Sequence, residues 1–241
     1  MKRIQLDSTA STNAHARTLI KTASQDELFC VIADYQSSGR GQGSHSWHSE
    51  PGKNLLLSLV CFPAFLSASD QFSLSVMTAL SVVGCCGDLE VEARIKWPND
   101  ILAGNRKLAG ILIENGIMGT KVSHSIIGIG LNVNQVRFPE FPTGATSLCL
   151  EQSRERDREV VLDDLLRHLE SRYNDLRQGR HALWEEAYRE RLHGLDQTLP
   201  FTDGAEVFDG IIRGTSPQGE LLVERDGRVR AYARHQIRLK S

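Results

Sequence analysis

A lysine, an asparagine and an aspartate are grouped on one short stretch of this chain, and a second lysine follows closely. Lys96, Asn99 and Asp100 belong to the run Lys-Trp-Pro-Asn-Asp, and Lys107 belongs to the run Arg-Lys-Leu-Ala-Gly. The dipeptide Gly104–Asn105 lies between extended-looking runs and predicts a two-residue hairpin turn. Such a hairpin brings Asp100 close to Lys107, and this combination suits the handling of a phosphate and its metal ion. A surface hairpin with ordinary charges is the alternative.

A second candidate region is the polar, glycine-rich stretch over residues 36–54. Glycines at 39, 41 and 43 alternate with Arg40 and Gln42. Alternating glycines leave backbone N–H groups free to surround an anion, and an arginine among them can clamp a phosphate or a carboxylate. The stretch lacks the Gly-Lys-Ser/Thr of a Walker A loop, and it continues into a strand, unlike a dinucleotide-binding fingerprint. It is therefore either a lid that orders over an anionic ligand or a merely flexible loop.

Composition places the chain among ordinary globular proteins. Its 241 residues allow one large domain, or a medium domain with a small one. Hydrophobic residues make up 40%, charged residues 24%, and the net charge is -2, which gives no sign of nucleic-acid binding. The five cysteines lack metal-ligand spacing and predict buried, reduced thiols in a cytoplasmic protein. The N-terminus does not resemble a signal peptide, and we expect no membrane association.

Hydrophobic periodicity predicts an α+β fold. Helices are predicted over 13–22, 70–86, 159–177 and 180–193, and strands over 29–33, 55–62, 92–97, 107–114 and 124–131. Residues 126–131 are apolar on both faces and are placed centrally in the sheet, while 134–146 are predicted to form a loop. The sequence pattern changes near His193. After it, four short strand-like segments with turn residues between them predict a small β domain. We therefore predict two domains, 1–193 and 194–241.

Six short motifs, in this order, resemble the catalytic module of biotin protein ligases. They are Ser11-Thr12-Asn13, Tyr35-Gln36, Gly39-Arg40-Gly41-Gln42 with Trp47, Lys96 to Asp100, Arg106 to Leu112, and Gly128 to Asn132. Any one of them can arise by chance, but six in order at family-like separations are highly specific. The end of the chain resembles, more loosely, the small C-terminal β domain of that family.

The resemblance implies a fold and an activity. The fold is a mixed β-sheet flanked by helices, of the class II synthetase-like type, with an SH3-like barrel at the C-terminus. The reaction joins biotin to ATP with Mg²⁺, giving biotinyl-5′-AMP and pyrophosphate, and then passes biotin to one lysine of a biotin carboxyl carrier domain of a biotin-dependent carboxylase. The implied partners are biotin, ATP and that carrier. A homodimer is left open, and neither a permanent metal nor another cofactor is expected.

The resemblance also assigns roles to individual residues. The implied catalytic set is Lys107, Arg40 and Asp100. The implied biotin-binding set is Ser11, Thr12, Asn13, Gln36, Arg40, Gly41, Gln42, Lys107 and Gly110. The implied ATP and adenylate set is Arg40, Gln42, Trp47, Asn99, Asp100, Lys107 and Asn132. Mg²⁺ would enter with ATP, near Asp100.

The chain departs from the family pattern in its glycine loop. The family loop often reads Gly-Arg-Gly-Arg-Arg-Gly-Arg, whereas Gln42 stands in place of the second arginine and Gly43-Ser44-His45 replaces the more basic remainder. The positive field over the ligand is therefore weaker. Because the match begins by Ser11, we expect a monofunctional form without the N-terminal helix-turn-helix of many bacterial members, and no DNA binding.

Three alternatives remain open from the sequence. A lipoate or octanoate ligase or transferase shares the fold family, and a non-catalytic biotin- or nucleotide-binding module is an alternative of another class. A DNA-binding regulator is the weakest of the three, because the N-terminus lacks a helix suited to reading DNA. The basic C-terminal strands, which include Arg228, Arg230, Arg234, Arg238 and Lys240, are either solvated or contribute to docking of an acidic carrier or to ATP binding.

Overall fold

A computed structural model describes residues 1–24, 27–43, 45–139 and 144–240. The strands are β1 (Lys2–Thr9), β2 (Phe29–Gln36), β3 (Leu55–Cys61), β4 (Ala93–Lys96), β5 (Asp100–Ala103), β6 (Arg106–Met118), β7 (Lys121–Leu131), β8 (Thr198–Thr202), β9 (Val207–Thr215), β10 (Leu221–Arg225), β11 (Arg228–Tyr232) and β12 (Arg238–Leu239). The helices are α1 (Thr12–Leu19), α2 (Phe72–Asp88), α3 (Leu148–Gln152), α4 (Arg158–Arg177) and α5 (Trp184–Glu190), with a short 3₁₀ turn at Ala68–Asp70. None of the described helices is long and apolar enough to span a membrane.

Seven strands form a mixed sheet in the order β1-β2-β3-β7-β6-β5-β4. Only the β1–β2 pair is parallel. Strand β7 lies in the middle of this order, as its apolar sequence predicts, because a strand covered on both faces has no solvent-facing side to fill with polar residues. The predicted α+β class is confirmed.

Side-chain alternation along β2 divides the core between the two faces of this sheet. Cys30 and Ile32 belong to the large apolar cluster that also contains side chains of α2 and α4. Phe29 and Val31 belong to a smaller cluster together with Ala16 of α1. The period of two along the strand thus places α1 on one face and the long helices on the other.

Several element boundaries differ from the sequence prediction. Strand β1 and helix α3 were not predicted, and α5 is shorter than the predicted helix over 180–193. Polar residues dominate β1, so only Ile4 and Leu6 mark it as a strand, and its partner lies far along the chain. In the predicted loop over 134–146, residues 140–143 lie outside the described residues. Ser44, in the glycine-rich stretch, also lies outside them.

The hairpin turn at Gly104–Asn105 is confirmed. Strands β5 and β6 are antiparallel, and Ala103 pairs with Arg106, which leaves two residues in the turn. Gly104 has φ +56, a value that favours glycine. The register pairs Asp100 with Gly110 and Lys107 with Leu102, with a shift between Ile101 and Leu102. The Lys107 side chain passes over Gly110, where a Cβ would lie 3.3 Å from its Cε atom, and so reaches Asp100 on the neighbouring strand.

The cysteines are free, and four of the five are buried. Burial raises the pKa of the Cys30 thiol to about 11 and that of Cys61 to about 12. Both thiols therefore remain protonated near neutral pH, as expected of thiols that only fill the core.

A second sheet of five antiparallel strands follows, in the order β11-β10-β9-β8-β12. Strand β8, which contains Pro200, was not predicted. Phe201, Ile212 and Val223 of this sheet belong to the same apolar cluster as the core of the large sheet. The small C-terminal β unit is therefore present, while its separation as a domain at residue 194 stays a prediction.

His193 lies in the segment between α5 and β8, and its surroundings predict that stability depends on pH. Its backbone N–H donates to Ile95 O at 2.8 Å. Burial, with Lys96 and Arg94 nearby, lowers the pKa of its imidazole below the ordinary 6.5. As pH falls, the unfolded chain therefore binds a proton at this imidazole before the folded chain does. The contribution of neutral, buried His193 to the free energy of unfolding is complete above pH 6.5 and is lost as pH falls through the folded pKa. We expect the urea concentration at the unfolding midpoint to decrease as pH is lowered through this window, and His193→Gln to reduce this dependence on pH. An unchanged dependence in His193→Gln would exclude this residue as the cause.

Candidate functional site

A cavity of about 240 Å³ lies over β6 and β7, between the start of α1, the glycine-rich loop and the β5–β6 hairpin. With the exception of Asn132, all the residues assigned to biotin, ATP or catalysis line this cavity. They are Ser11, Thr12, Asn13, Gln36, Arg40, Gly41, Gln42, Trp47, Asn99, Asp100, Lys107 and Gly110. The structure thus gathers chain segments that are far apart in sequence around one space.

One end of the cavity is built from hydroxyl and amide groups. Thr12 N–H donates to Gln36 Oε1 at 2.7 Å, and Thr12 Oγ1 lies 3.1 Å from the same oxygen. Ser58 Oγ lies 2.8 Å from Thr12 Oγ1 and 2.6 Å from Asn13 Oδ1. Asn13 Nδ2 donates to Glu114 Oε2 at 2.9 Å, which fixes the orientation of the Asn13 amide.

This cluster of oxygens is one hydrogen short. Gln36 Oε1, Thr12 Oγ1, Ser58 Oγ and Asn13 Oδ1 make three successive oxygen–oxygen contacts. Only the two hydroxyls carry a hydrogen, so one contact has no donor. We name these four side chains the acceptor cluster, because the oxygen left without a donor can accept from an added N–H group.

Ser11 lines the cavity, and its hydroxyl has no hydrogen-bond partner within the described parts of the chain. It occupies the N-cap of α1, but its side chain makes no capping hydrogen bond. Its side chain lines the cavity, and the residue is only 4% exposed. The local role of a helix cap therefore does not account for this serine, which leaves it available to a ligand.

The opposite end of the cavity carries charge. Lys107 Nζ lies 2.6 Å from Asp100 Oδ1, and both side chains are partly exposed. The backbone of Lys107 is also fixed, since its N–H donates to Gly144 O at 3.2 Å and its carbonyl accepts from Thr146 N at 2.9 Å. Strand pairing and this added segment therefore fix the backbone of Lys107, from which the ammonium group reaches Asp100.

Asn132 lies behind Lys107 and does not line the cavity. Its side-chain Nδ2 donates to Thr146 O at 2.9 Å and to Lys107 O at 3.4 Å. It is 3% exposed, so its visible contacts are to the backbone that supports Lys107. A contact of Asn132 with the nucleotide stays a prediction.

Trp47 packs directly on two glycines of the cavity floor. A Cβ on Gly130 would lie 2.4 Å from Trp47 Cε2, and one on Gly110 would lie 2.9 Å from Trp47 Cζ3. Lys107 Nζ lies 5.5 Å from the centroid of the Trp47 ring, within range of a cation–π contact. The tryptophan therefore packs on the sheet and also forms part of the cavity wall.

The glycine-rich loop folds back on itself over the cavity. Trp47 N donates to Gly39 O at 2.9 Å and Gly41 N donates to His45 O at 2.8 Å, while Arg40 and Ser46 form a single β-bridge. Gly39 is buried, and a Cβ there would lie 2.5 Å from Trp47 O. Arg40 itself is exposed beside the cavity, where a guanidinium can meet an anion.

Sequence reasoning missed Ser58 and Glu114, which lie behind the cavity wall. Ser58 is the only polar residue in the buried strand β3, and Glu114 interrupts the apolar part of β6. A polar group inside an apolar strand needs a partner, and that requirement was the signal available. Glu114 also accepts from Arg17 at 2.5 Å, so the Asn13 amide rests on an ion pair.

A group of potential metal ligands lies elsewhere. Asp88, Asp164 and His168 of α2 and α4 come within 4.8 Å of one another. Arg167 and Arg172 already donate to these side chains, and none of the three lines the cavity. Among the described cavity residues, Asp100 is the one carboxylate.

The sequence of this chain is similar to sequences of known proteins. The family model for the biotin/lipoate A/B protein ligase family matches residues 5–132. The bifunctional ligase/repressor BirA of Bacillus subtilis is 40% identical over 150 residues, covering 60% of this chain and 46% of that protein. The biotin–acetyl-CoA-carboxylase ligase of Mycobacterium tuberculosis is 31% identical over 226 residues, covering 91% of this chain and 82% of that protein.

A solved structure shares the fold along the whole chain. The biotin protein ligase from Aquifex aeolicus in complex with biotin and ATP superposes with a TM-score of 0.81 at 24% identity, covering 99% of this chain and 98% of that one. The chain spans about half the length of the Bacillus relatives that it matches. Both the large sheet and the C-terminal sheet are therefore parts of a known architecture.

Proposed function

Because this chain belongs to the biotin/lipoate A/B protein ligase family, we propose that it activates biotin with ATP and transfers biotin to a lysine of a biotin carboxyl carrier domain. The observation that supports this most is the difference in chemistry between the two ends of this cavity. Its inner end holds the acceptor cluster, and its other end holds the Lys107–Asp100 pair. A ligand with hydrogen-bond donors at one end and a carboxylate at the other matches both.

The acceptor cluster favours biotin over lipoate. The ureido ring of biotin carries N–H groups, and one of them can donate to the oxygen of the acceptor cluster that lacks a donor. The ring also carries a carbonyl oxygen that can accept from Ser11. The dithiolane of lipoate has neither and would leave buried polar groups unpaired, at about 1–3 kcal/mol per group. A site built for hydrogen bonds discriminates strongly against a ligand that lacks them.

In the first step the chain's cations neutralise two anions. A carboxylate oxygen of biotin attacks the α-phosphorus of ATP, and the bond from that phosphorus to the bridging oxygen breaks, releasing pyrophosphate. Lys107 approaches the attacking carboxylate and the α-phosphate, and Arg40 adds positive charge from the loop. Asp100 holds the Lys107 ammonium in place, so that the cation needs no reorganisation during the reaction.

In the second step the acceptor amine replaces AMP. The neutral lysine amine attacks the acyl carbon of the mixed anhydride, an amide forms, AMP leaves, and one proton is lost. Asp100 is placed to accept that proton, as the one carboxylate of the described cavity wall. The loop at residues 39–43 limits access of water to the anhydride until the amine arrives.

The cavity suits Mg²⁺ that arrives with ATP. This ion is commonly held by one or two carboxylates together with substrate phosphates, and Asp100 with the amide of Asn99 supplies such a donor set. When bound, the ion would offset charge on the phosphates. The resident protein groups still orient the carboxylate and move the proton.

The partner proposed is a carrier domain of a biotin-dependent carboxylase. Its support is the relative named biotin–acetyl-CoA-carboxylase ligase, which is similar over 91% of this chain. A homodimer stays open. The absence of DNA binding, the SH3-like character of the C-terminal sheet and a cytoplasmic location stay predictions.

The deciding experiment compares the two acids. The protein is incubated with ATP, Mg²⁺ and either biotin or lipoate, pyrophosphate is quantified, and the adenylate is identified by mass spectrometry. We expect pyrophosphate and biotinyl-5′-AMP with biotin only, followed by biotin on the carrier lysine when a carrier domain is added. Lipoyl-AMP would favour the alternative ligase, and binding of biotin without pyrophosphate would indicate a non-catalytic module.

Replacing Arg40 by glycine tests the loop. Arg40 lines the cavity from its exposed side, so its loss should remove a contact that retains the adenylate. We expect faster release of biotinyl-5′-AMP from Arg40→Gly and labelling of unrelated lysines. Release is measured by filter separation after single turnover, and labelling by avidin blot with albumin as bystander. Arg137→Gly is the control, because Arg137 is an exposed arginine that does not line the cavity. Release of the adenylate from Arg40→Gly as slow as from the unmodified protein would exclude this role of Arg40.

A further inference from the structure

The turn between β9 and β10 touches the segment that carries Asn99 and Asp100. Trp97 Nε1 donates a hydrogen bond of 2.9 Å to Gly219 O in that turn. Gly219 has φ +89, and a Cβ on it would lie 2.4 Å from Phe72 Cδ2 at the start of α2. Glycine is therefore required here twice, by backbone conformation and by close packing.

The carbonyl that accepts from Trp97 is held in a closed turn. Gly219 N donates to Ser216 O at 2.9 Å, and Ser216 N donates to Glu220 O at 2.8 Å. Glu220 N also donates to Ser216 Oγ at 3.1 Å. These bonds fix the position of the Gly219 carbonyl, and with it the acceptor that the indole must reach.

The segment after Trp97 is tied to the cavity wall. Ile111 N donates to Asn99 O at 2.9 Å, and Asn99 Nδ2 donates to Ile111 O at 3.0 Å. Asp100 follows directly and pairs with Lys107 at 2.6 Å. A shift of the indole would therefore be transmitted through two peptide units to Asn99, and one residue further to the carboxylate.

Asn99 also lies between two cavities. Trp97, Asn99 and Gly219 line a second cavity of about 270 Å³, and Gln42 and Asn99 line both cavities. The wall shared by the two spaces is thus supported from the C-terminal sheet on one side and from β6 on the other.

We propose that Trp97 is a positioning residue, and that its hydrogen bond to Gly219 sets the place of Asn99 and Asp100 for adenylate formation. The inference rests on the proposed function. Through this contact the C-terminal sheet acts on the reaction without supplying a group that touches the reacting atoms. The inner end of the cavity, around Thr12 and Gln36, is not tied to this bond, so biotin binding should be independent of it.

The first test is Trp97→Phe, which keeps an aromatic ring and removes the N–H donor. We expect kcat for pyrophosphate release to fall about tenfold, because loss of the bond to Gly219 lets Asn99 and Asp100 move from the positions that the reaction needs. The Kd for biotin should be unchanged. Trp184→Phe is the matched control, because Trp184 is also half-buried and its ring nitrogen has no hydrogen bond among the described residues. A purely structural role would lower the melting temperature of Trp97→Phe and leave kcat per folded molecule unchanged, which would overturn the proposal.

The second test approaches the same bond from the other sheet. Gly219→Ala places a methyl against Phe72 and should displace the acceptor carbonyl. We expect the same pattern of reduced kcat with unchanged biotin Kd, and a double variant no slower than the slower single variant. Multiplying effects would mean that the two residues act separately, against the proposal.

A readout without turnover separates this inference from the proposed function. Hydrogen exchange at the Ile111 amide, which donates to Asn99 O, should be faster in Trp97→Phe than in Trp184→Phe. If the unmodified protein forms no pyrophosphate from biotin and ATP, the proposed function fails, while exchange still reports on the contact. Equal exchange in both variants would overturn the positioning role by itself.

Discussion

Lys107→Ala should abolish most adenylate formation while leaving the fold intact. The ammonium lies at the charged end of the cavity, 2.6 Å from Asp100 and 5.5 Å from the centroid of the Trp47 ring. Removing one preorganised charge contact of this type costs about 3 kcal/mol or more, which is on the order of a hundred-fold or greater in rate. The measurement is pyrophosphate release at saturating biotin and ATP, with melting temperature recorded in parallel.

The fold should survive because Lys107 makes a partly exposed ion pair. Such pairs contribute about 0–1 kcal/mol to stability, and the strand is held by its backbone bonds. Lys53→Ala is the matched control, since Lys53 also forms an ion pair, with Glu155 at 3.3 Å, but does not line the cavity. Turnover of Lys107→Ala close to that of Lys53→Ala would remove this lysine from the catalytic set.

Gly128→Ala should disable biotin binding by a different route. Gly128 lies in the central strand β7, opposite Ser58, and a Cβ there would lie 2.5 Å from Asn13 Oδ1. Asn13 is 5% exposed and is held by Ser58 and Glu114, so it has little room to move away. Overpacking of this kind costs about 1–3 kcal/mol, and a displaced Asn13 would open the acceptor cluster.

We expect the Kd for biotin in Gly128→Ala to rise by about tenfold to a hundred-fold, which calorimetric titration measures directly. Gly87→Ala is the control, because no atom lies within 4 Å of a Cβ placed there and its φ is not positive. Biotin binding in Gly128→Ala as tight as in Gly87→Ala would show that the strand yields locally and that Asn13 keeps its place.

The charged end of the cavity was predictable because its geometry is local. A Gly-Asn turn between two extended runs brings β5 and β6 side by side, and the Lys107 side chain then reaches Asp100 across Gly110. The glycine loop was partly predictable for the same reason, since it is a short continuous segment. Its placement over the cavity, through Trp47 and the two glycines beneath it, depends on strands that are distant in sequence.

The supporting residues were not predictable in the same way. Strand β1 carries little apolar periodicity, and its pairing with β2 is decided by tertiary contacts. Ser58 and Glu114 stand out as polar residues in apolar strands, but the sequence does not say which groups they meet. The bond from Trp97 to Gly219 joins residues 122 positions apart, and no local pattern reports such a contact.

The acceptor cluster also has a consequence for which ligands are rejected. Its three oxygen–oxygen contacts share two hydroxyl hydrogens, so one oxygen of the row can accept a hydrogen bond from a ligand. A ligand N–H group that meets this oxygen forms a hydrogen bond there. A molecule that can only accept hydrogen bonds would instead bring a further lone pair against the row, so this end of the cavity disfavours it by repulsion as well as by the loss of a bond.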